Sequence, residues 1–540
     1  MRRTVPPPHC TPTAGSSLAN ARLIPSPMAD ASLDRWDLLQ LGILFLLWFC
    51  LLVLRNDSLP LQIWDESRLA NSALEMVRNG HWLVPSYGGV PDHWSVKPPL
   101  LIWQMAALLQ LGLPPLLAVR LPTMLAGLAT VGCVWAVCRY TLRDRAAAVL
   151  AGLLLLSASV FTNIHIARTG DYDVPLGLFT LLYVLTFWRS IEQRGKVHTG
   201  WFAIFAAALV LAVMTKGVAG TFGLVGLFIF TLVKRQLLTL LRNLYVWSFA
   251  LFALFLCLGY YASRELYDPG YLAAVWQNEL ASRYFATNEG HSEGPLFYIN
   301  LLIIWFEPGL ILLPLVALTV LRADSRRQSL ATLCLVCAVS MLIVLTTSRT
   351  KIFWYATPVF PFLAIAAALG VTDGLRWIRA REPHLPKLFK ARPLQIAIGI
   401  LLAIASAASL YRNQVMKQRT AEQAINAQLW YGALFDKLQA RGILSVIVLD
   451  GDDYNPVLKF YAGIASTNGL RVTLPALAYD GSKQLPSFRG KGAPVDFSAL
   501  LPAGKLVATC DPKLVPWLKY RDGFSLSGEV HSCVFGVIAS

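Results

Sequence analysis

Eleven stretches of this 540-residue chain are apolar over about the length a helix needs to cross a bilayer, and no other feature narrows the fold so far. A spanning helix takes about 20 residues, with a range of about 17–25. The stretches are 37–54, 117–138, 146–164, 174–188, 201–215, 217–233, 244–262, 297–321, 328–347, 353–371 and 394–411. Composition agrees: 56% of residues are hydrophobic and 14% charged, with a mean hydropathy of +0.53. Soluble domains hold about 45–50% apolar and about 25% charged residues. The chain is therefore read as a polytopic α-helical membrane protein. A net charge of +16 in a soluble chain would point to nucleic acid. In a membrane chain, Lys and Arg first set topology. With no zinc-finger spacing and no basic–aromatic domain, no nucleic-acid partner is expected.

The weakest span is 201–233, divided at Thr215-Lys216-Gly217 into two short ones. Charge tests the division. With it, the loops on one side carry 18 basic residues against five acids, as cytoplasmic loops do. Without it, the two most basic loops face outward. The divided reading makes residues 1–36, rich in Pro, Ser and Ala, a disordered cytoplasmic tail, in which Met28 is an alternative start. Residues 37–411 form the membrane domain, with long external loops at 55–116 and 263–296. Residues 412–540 form a soluble external α/β domain, with strands at 443–449, 505–509 and 533–538 and a helical pattern at 420–441. Cys510 and Cys533 are its only cysteines, and an oxidising compartment permits a disulfide between them. The expected location is a bacterial inner membrane, N-terminus inside and C-terminal domain in the periplasm.

In the first external loop, Leu69, Ala73, Met76 and Val77 recur at helical spacing. This predicts an amphipathic interfacial helix with its apolar face on acyl chains. It starts at Trp64-Asp65-Glu66-Ser67-Arg68. A plain reading makes Asp65 the N-cap and Glu66 a first-turn acid favoured by the helix dipole. Other charges at the same depth argue for more: Asp171-Tyr172-Asp173, Lys216, Arg349 and Lys351, together with Lys97 before Pro98-Pro99. Charge near a bilayer is costly and is usually paired or functional, so one shared polar site is expected. Asp65, Glu66 and Asp173 could supply oxygen ligands to a hard divalent ion. There is no compact His/Cys spacing for zinc, and Asp450-Gly-Asp452-Asp453 reads as a polar turn.

Five motifs in order carry a family likeness: Asp65-Glu66-x-Arg68, Lys97-Pro-Pro, Ala167-Arg168-Thr169 with Asp173-Val-Pro, Thr215-Lys216-Gly217, and Lys351-x-x-x-Tyr355-x-x-Pro358. Over roughly 37–411 the chain resembles the GT-C membrane glycosyltransferases, most closely the aminoarabinose transferases that modify lipid A, cousins of the protein O-mannosyltransferases. The resemblance implies an enzyme that moves a sugar from a polyprenyl-phosphate carrier to an acceptor on the periplasmic face. The acceptor would be lipid A or another envelope glycolipid, with protein hydroxyls or a polysaccharide as alternatives. By position it implies a catalytic set of Asp65, Glu66, Asp173 and its rival Asp171. A carrier-phosphate and substrate set would be Arg68, Lys97, Lys216, Arg283, His291, Lys351 and Tyr355. Where the family often has His-Glu-His, this chain reads Asn278-Glu279-Leu280, so no role of those histidines carries over. A divalent metal remains an open cofactor. A transporter is the competing class; it would hold its charges nearer the midplane on broken helices.

Overall fold

The computed structural model describes residues 32–57, 59–163, 165–285, 293–323, 325–381, 386, 391–412, 426–450, 454–474, 503–512 and 514–539. The leading tail through residue 31, His291, and Asp452 with Asp453 lie outside them. Each of the eleven apolar stretches contains helix among the described residues, but they are not equal. Among the described residues, seven helical segments are long and apolar enough to cross a membrane: Arg35–Val53, Pro115–Thr141, Thr199–Thr221, Leu244–Tyr267, Arg326–Thr347, Phe353–Arg379 and Ala391–Tyr411. An eighth crossing is a pair, Phe297–Trp305 and Pro308–Arg322, bent by 97°. Three stretches fall short of that test. Arg145–Ser157 (α5) and Gly223–Val233 (α8) are short, and Asp173–Ser190 (α6) has a charge at each end.

Other helices used below are α1 (Arg35–Trp48), α2 (Asp65–Asn79), α3 (Leu100–Gln110), α4 (Pro115–Ala136), α7 (Thr199–Lys216), α9 (Leu237–Leu241) and α10 (Leu244–Tyr267). α16 is Phe360–Arg379 and α17 is Ala391–Tyr411. One apolar core joins α1, α4–α8 and α16; Leu154, Leu181, Val184, Leu330, Phe360 and Ala364 are fully buried in it or nearly so. The division of 201–233 is present. α7 ends at Lys216, a 3₁₀ turn covers Gly217–Thr221, and α8 follows. Gly217 sits at φ +57°, and a Cβ there would lie 3.0 Å from the Tyr261 hydroxyl and 3.7 Å from Pro98 Cδ. Only glycine takes this turn without strain while the Lys97-Pro-Pro segment packs against it.

The predicted interfacial helix forms as α2, but its apolar face does not meet lipid. Leu69, Ala70, Ala73 and Met76 pack on Leu101, Ile102 and Met105 of α3 and on Val457 and Phe460 of the C-terminal domain. Exclusion of water is achieved by protein on both sides, so the helix is buried over most of its length.

The C-terminal segment folds as α/β. Its strands are β3 (Ser445–Leu449), β4 (Arg471–Thr473), β5 (Leu506–Thr509), β6 (Phe524–Val530) and β7 (Cys533–Ile538); β1 and β2 (Ser86–Tyr87, Val90–Pro91) form a hairpin in the first loop. The sheet order is β4-β3-β5-β7-β6, parallel across β4-β3-β5 and antiparallel beyond. Strand alternation divides β3 between two cores. Val446 and Val448 meet Leu434 and Leu438 of the helix Asn426–Ala440 (α18), while Leu449 meets Leu518 of Leu514–Lys519 (α20) on the other side. Cys510 and Cys533 are disulfide-bonded, joining the end of β5 to the start of β7. The domain docks through Pro456–Thr467 (α19). The Asn71 side chain donates to the Pro456 carbonyl at 2.7 Å, and Gly463 lies against Leu74.

Candidate active site

Asp65 is the first residue of α2 and not its N-cap; Trp64 takes that place with φ +81°. A bulky residue at positive φ is an outlier that its surroundings must hold. Here the Trp64 ring stacks on Tyr454 of the C-terminal domain, centroids 5.0 Å apart. Asp65 is partly exposed beside the loop between α5 and α6. Its carboxylate, an imidazole nitrogen of His165 and the buried carboxylate of Asp171 all lie within 4.8 Å of one another. Burial first, then the charges of Asp65 and Glu66, push the Asp171 carboxyl well above the usual carboxylate range. Thr169 donates to Asp171 at 2.5 Å, and His165 stacks on Trp354 at 4.8 Å.

The cations arrive from three other elements. Lys216, at the end of α7, donates to Asp173 at 2.6 Å and lies 4.7 Å from the Tyr355 ring. Lys97 is buried, 3.3 Å from Glu279 and 5.3 Å from the Tyr172 ring. Arg283 donates to the Tyr355 hydroxyl and lies 3.7 Å from Glu279. Burial works to raise the Glu279 carboxyl, but Lys97 and Arg283 outweigh it and hold it below its ordinary value. The charge of Asp65 acts on both Asp171 and Asp173, so the two acidic positions share one environment. Lys351 turns away, to the Ser348 carbonyl at 2.7 Å, while Ser348 Oγ and the Thr350 N–H both donate to the Arg283 carbonyl. It braces the turn that receives Arg283.

Besides Lys351, two expected site residues do not join the cluster. Glu66 is fully buried and paired with Arg120: Nε to Oε1 at 2.7 Å and Nη2 to Oε2 at 3.1 Å. Its oxygens also accept the N–H groups of Gln62 and Gly170 at 2.7 and 2.9 Å. With four donors on two oxygens, Glu66 is a latch between the first loop and the α5–α6 loop. It drops out of the catalytic set and of the metal candidates. Gly170 is required there, since a Cβ would meet the Val119 carbonyl at 2.6 Å. Arg68 is a second lock. It grips Asp92 with two bonds of 2.7 and 2.8 Å, its guanidinium lying 4.3 Å from the Tyr87 ring and 4.7 Å from Trp94. Buried inside the loop, it faces away from the carrier role the motif implied. The oxygen set read for a metal changes accordingly: His165 and Asp171 join Asp65 in place of Glu66 and Asp173.

The same geometry adds Glu279, His165 and Tyr172. Glu279 stands four residues before Arg283, an i,i+4 pair on one helical face. His165 has no local pattern that could have singled it out.

Residues 96–261 match the family model of dolichyl-phosphate-mannose-protein mannosyltransferase. Over 94% of this chain and 98% of the other, the structure superposes on ArnT from Cupriavidus metallidurans, solved bound to undecaprenyl phosphate, with a TM-score of 0.64 and 18% identity. It has the ArnT fold. ArnT solved in the apo state gives 0.63 at the same identity. Among curated relatives, the undecaprenyl phosphate-alpha-4-amino-4-deoxy-L-arabinose arabinosyl transferase 2 of Pseudomonas fluorescens is 25% identical over 409 residues, 75% of this chain and 66% of its own. The transferase of Aeromonas salmonicida is 29% identical over 344 residues, 62% and 60%. The matched region thus spans 60–66% of the length of these relatives. The likeness to GT-C membrane glycosyltransferases read from the five motifs is borne out.

Proposed function

We propose that this chain is a membrane glycosyltransferase that takes a sugar from a polyprenyl-phosphate carrier, with lipid A or another envelope glycolipid as acceptor. The observation that carries the proposal is the meeting of Asp65 and Asp171 with Lys97, Lys216 and Arg283 at one end of an ArnT-like helix assembly. The ArnT structure with undecaprenyl phosphate and the names of the curated relatives support the donor class. In the reaction the bond from sugar C1 to the phosphate oxygen breaks, and its electron pair stays on phosphate. A new bond forms from C1 to the acceptor oxygen on the opposite face, with inversion.

Negative charge grows on the leaving phosphate, where Lys97, Lys216 and Arg283 are held by packing before substrate arrives. Such preorganised donors are worth about 10²–10³ in rate each. Arg283 suits two-point contact with phosphate oxygens, and the lysines act as point charges. Asp65 receives the acceptor proton when the acceptor is a hydroxyl; an ionised phosphate acceptor has none to give, and Asp65 then orients it. Asp65, His165 and Asp171 suit a divalent cation, which would supply Lewis-acid charge when bound. The topology that fits is eleven crossings in a bacterial inner membrane, with this site and the C-terminal domain in the periplasm. The disulfide accords with that compartment.

The test uses purified protein in detergent with an undecaprenyl-phosphate-linked sugar and lipid A. Turnover without a closed compartment supports an enzyme over a transporter. Retained transfer by Asp65→Asn at equal protein level would refute the site assignment.

A further inference from the structure

Far from the carboxylate cluster, at the opposite ends of α6, α7 and α10, lies a cavity of about 540 Å³. Its lining is Gly195, Lys196, Val197, Leu238, Thr239, Arg242 and Asn243. The walls are held. The Gly195 N–H donates to the buried Gln236 side chain at 3.3 Å, tying the α6–α7 loop to α9. Asn243 caps α10, and the Trp247 indole donates to the Leu241 carbonyl at 2.9 Å.

Several basic side chains on this face are matched. Arg139 grips Asp37 at 2.6 Å, Arg327 grips Asp144 at 2.7 Å, and Glu192 takes both Arg189 and Arg326. Among the described residues, neither Lys196 nor Arg242 has an acidic partner within 4.0 Å. Two cations and the Thr239 hydroxyl thus line one concavity with no carboxylate in it. Around its rim, Leu238, Leu244 and Tyr245 are exposed to 63%, 77% and 64%, and Trp247 joins them. Tyr and Trp at such a level mark the head-group layer of a bilayer. A basic pocket opening beside an apolar collar fits a phosphodiester whose acyl chains lie along the collar; a free anion would make no use of it.

We infer that this cavity binds the head group of an anionic phospholipid, separately from the transfer site. The test is lipid retention by the detergent-stripped full chain, followed by native mass spectrometry with phosphatidylglycerol or phosphatidylcholine. Phosphatidylglycerol should bind at least about tenfold more tightly. Lys196→Ala with Arg242→Ala should weaken it about thirtyfold, leaving phosphatidylcholine unchanged. Arg379→Ala with Arg392→Ala removes equal charge from exposed positions near the C-terminal end of α16 and the start of α17, and should change affinity less than about twofold. Equal loss in both double variants would reduce the effect to bulk surface charge and overturn the site. Equal affinity for the two lipids, or displacement of the lipid by inorganic phosphate at comparable concentration, would overturn the lipid assignment.

Discussion

Asp65 and Glu66 are neighbours in sequence and opposites in fate. One helical step of about 100° separates their side chains. It sends Glu66 into a closed set with Arg120, Gln62 and Gly170, and leaves Asp65 facing His165 and Asp171. The latch is saturated: the Arg120 guanidinium also donates to Asn56 and to the carbonyls of Leu59 and Pro60, at 2.6–3.0 Å. The site is left incomplete, with like charges close together and cations shared between carboxylates. A saturated buried pair stabilises a geometry, whereas an unsaturated one keeps capacity for a ligand. Motif arithmetic alone cannot distinguish them, because both residues are acidic and both belong to the same five-residue run.

The comparison can be broken most forcefully at Asp65. Asp65→Asn should lower transfer by about 10²–10⁴, while the thermal unfolding midpoint in detergent stays within error of the parent. Arg120→Met should do the reverse in kind. It leaves Glu66 buried without its partner, costing about 3–5 kcal/mol, read as a lower unfolding midpoint and loss of monodisperse protein. A Glu66 or Arg120 variant that lost rate at full stability would merge the two regions into one machine. Lys216→Met should cost about 10²–10³ in turnover, with Lys216→Arg recovering part of it in single-turnover measurements.

The smallest effect concerns the second lock. Burial tends to raise the Asp92 carboxyl, but Arg68 and the N–H groups of Ser95 and Trp94 dominate and hold it below the usual range. A depressed folded value means the stabilisation is complete above the ordinary Asp value of about 3.9 and is lost as pH falls through the lower folded one. Unfolding midpoints should therefore drop on acidification below about pH 4. Asp92→Asn should be less stable at pH 7 by about 1.5–3 kcal/mol and show a shallower acid limb.

Much of this was legible in the chain. The apolar stretches and the break at Lys216 follow from patterns that local physics enforces, whereas the sequence permitted the Cys510–Cys533 bond without fixing its geometry. The order of motifs located Asp65, Asp173, Lys97, Lys216, Arg283 and Tyr355 in one neighbourhood. What it could not resolve were choices made by tertiary packing. α2 carries an apolar stripe whether it meets lipid or protein, and only the docking of α19 and α3 decides. Arg68 looked like a phosphate ligand because guanidinium serves both anions and carboxylates, and Asp92, 24 residues away, claims it. His165 became visible only when a loop at φ +64° brought it beside Asp171.

The bond from Asn71 to the Pro456 carbonyl spans 385 residues of sequence. The loop bearing Asp65 therefore cannot acquire its final seating while the ribosome is still making the membrane helices. Its last support arrives only after the chain has been synthesised past Pro456 and that stretch has reached the same side as the loop. Biogenesis thus imposes a sequence of events on activation: insertion comes first, and competence is withheld until the trailing segment has folded back onto the first loop.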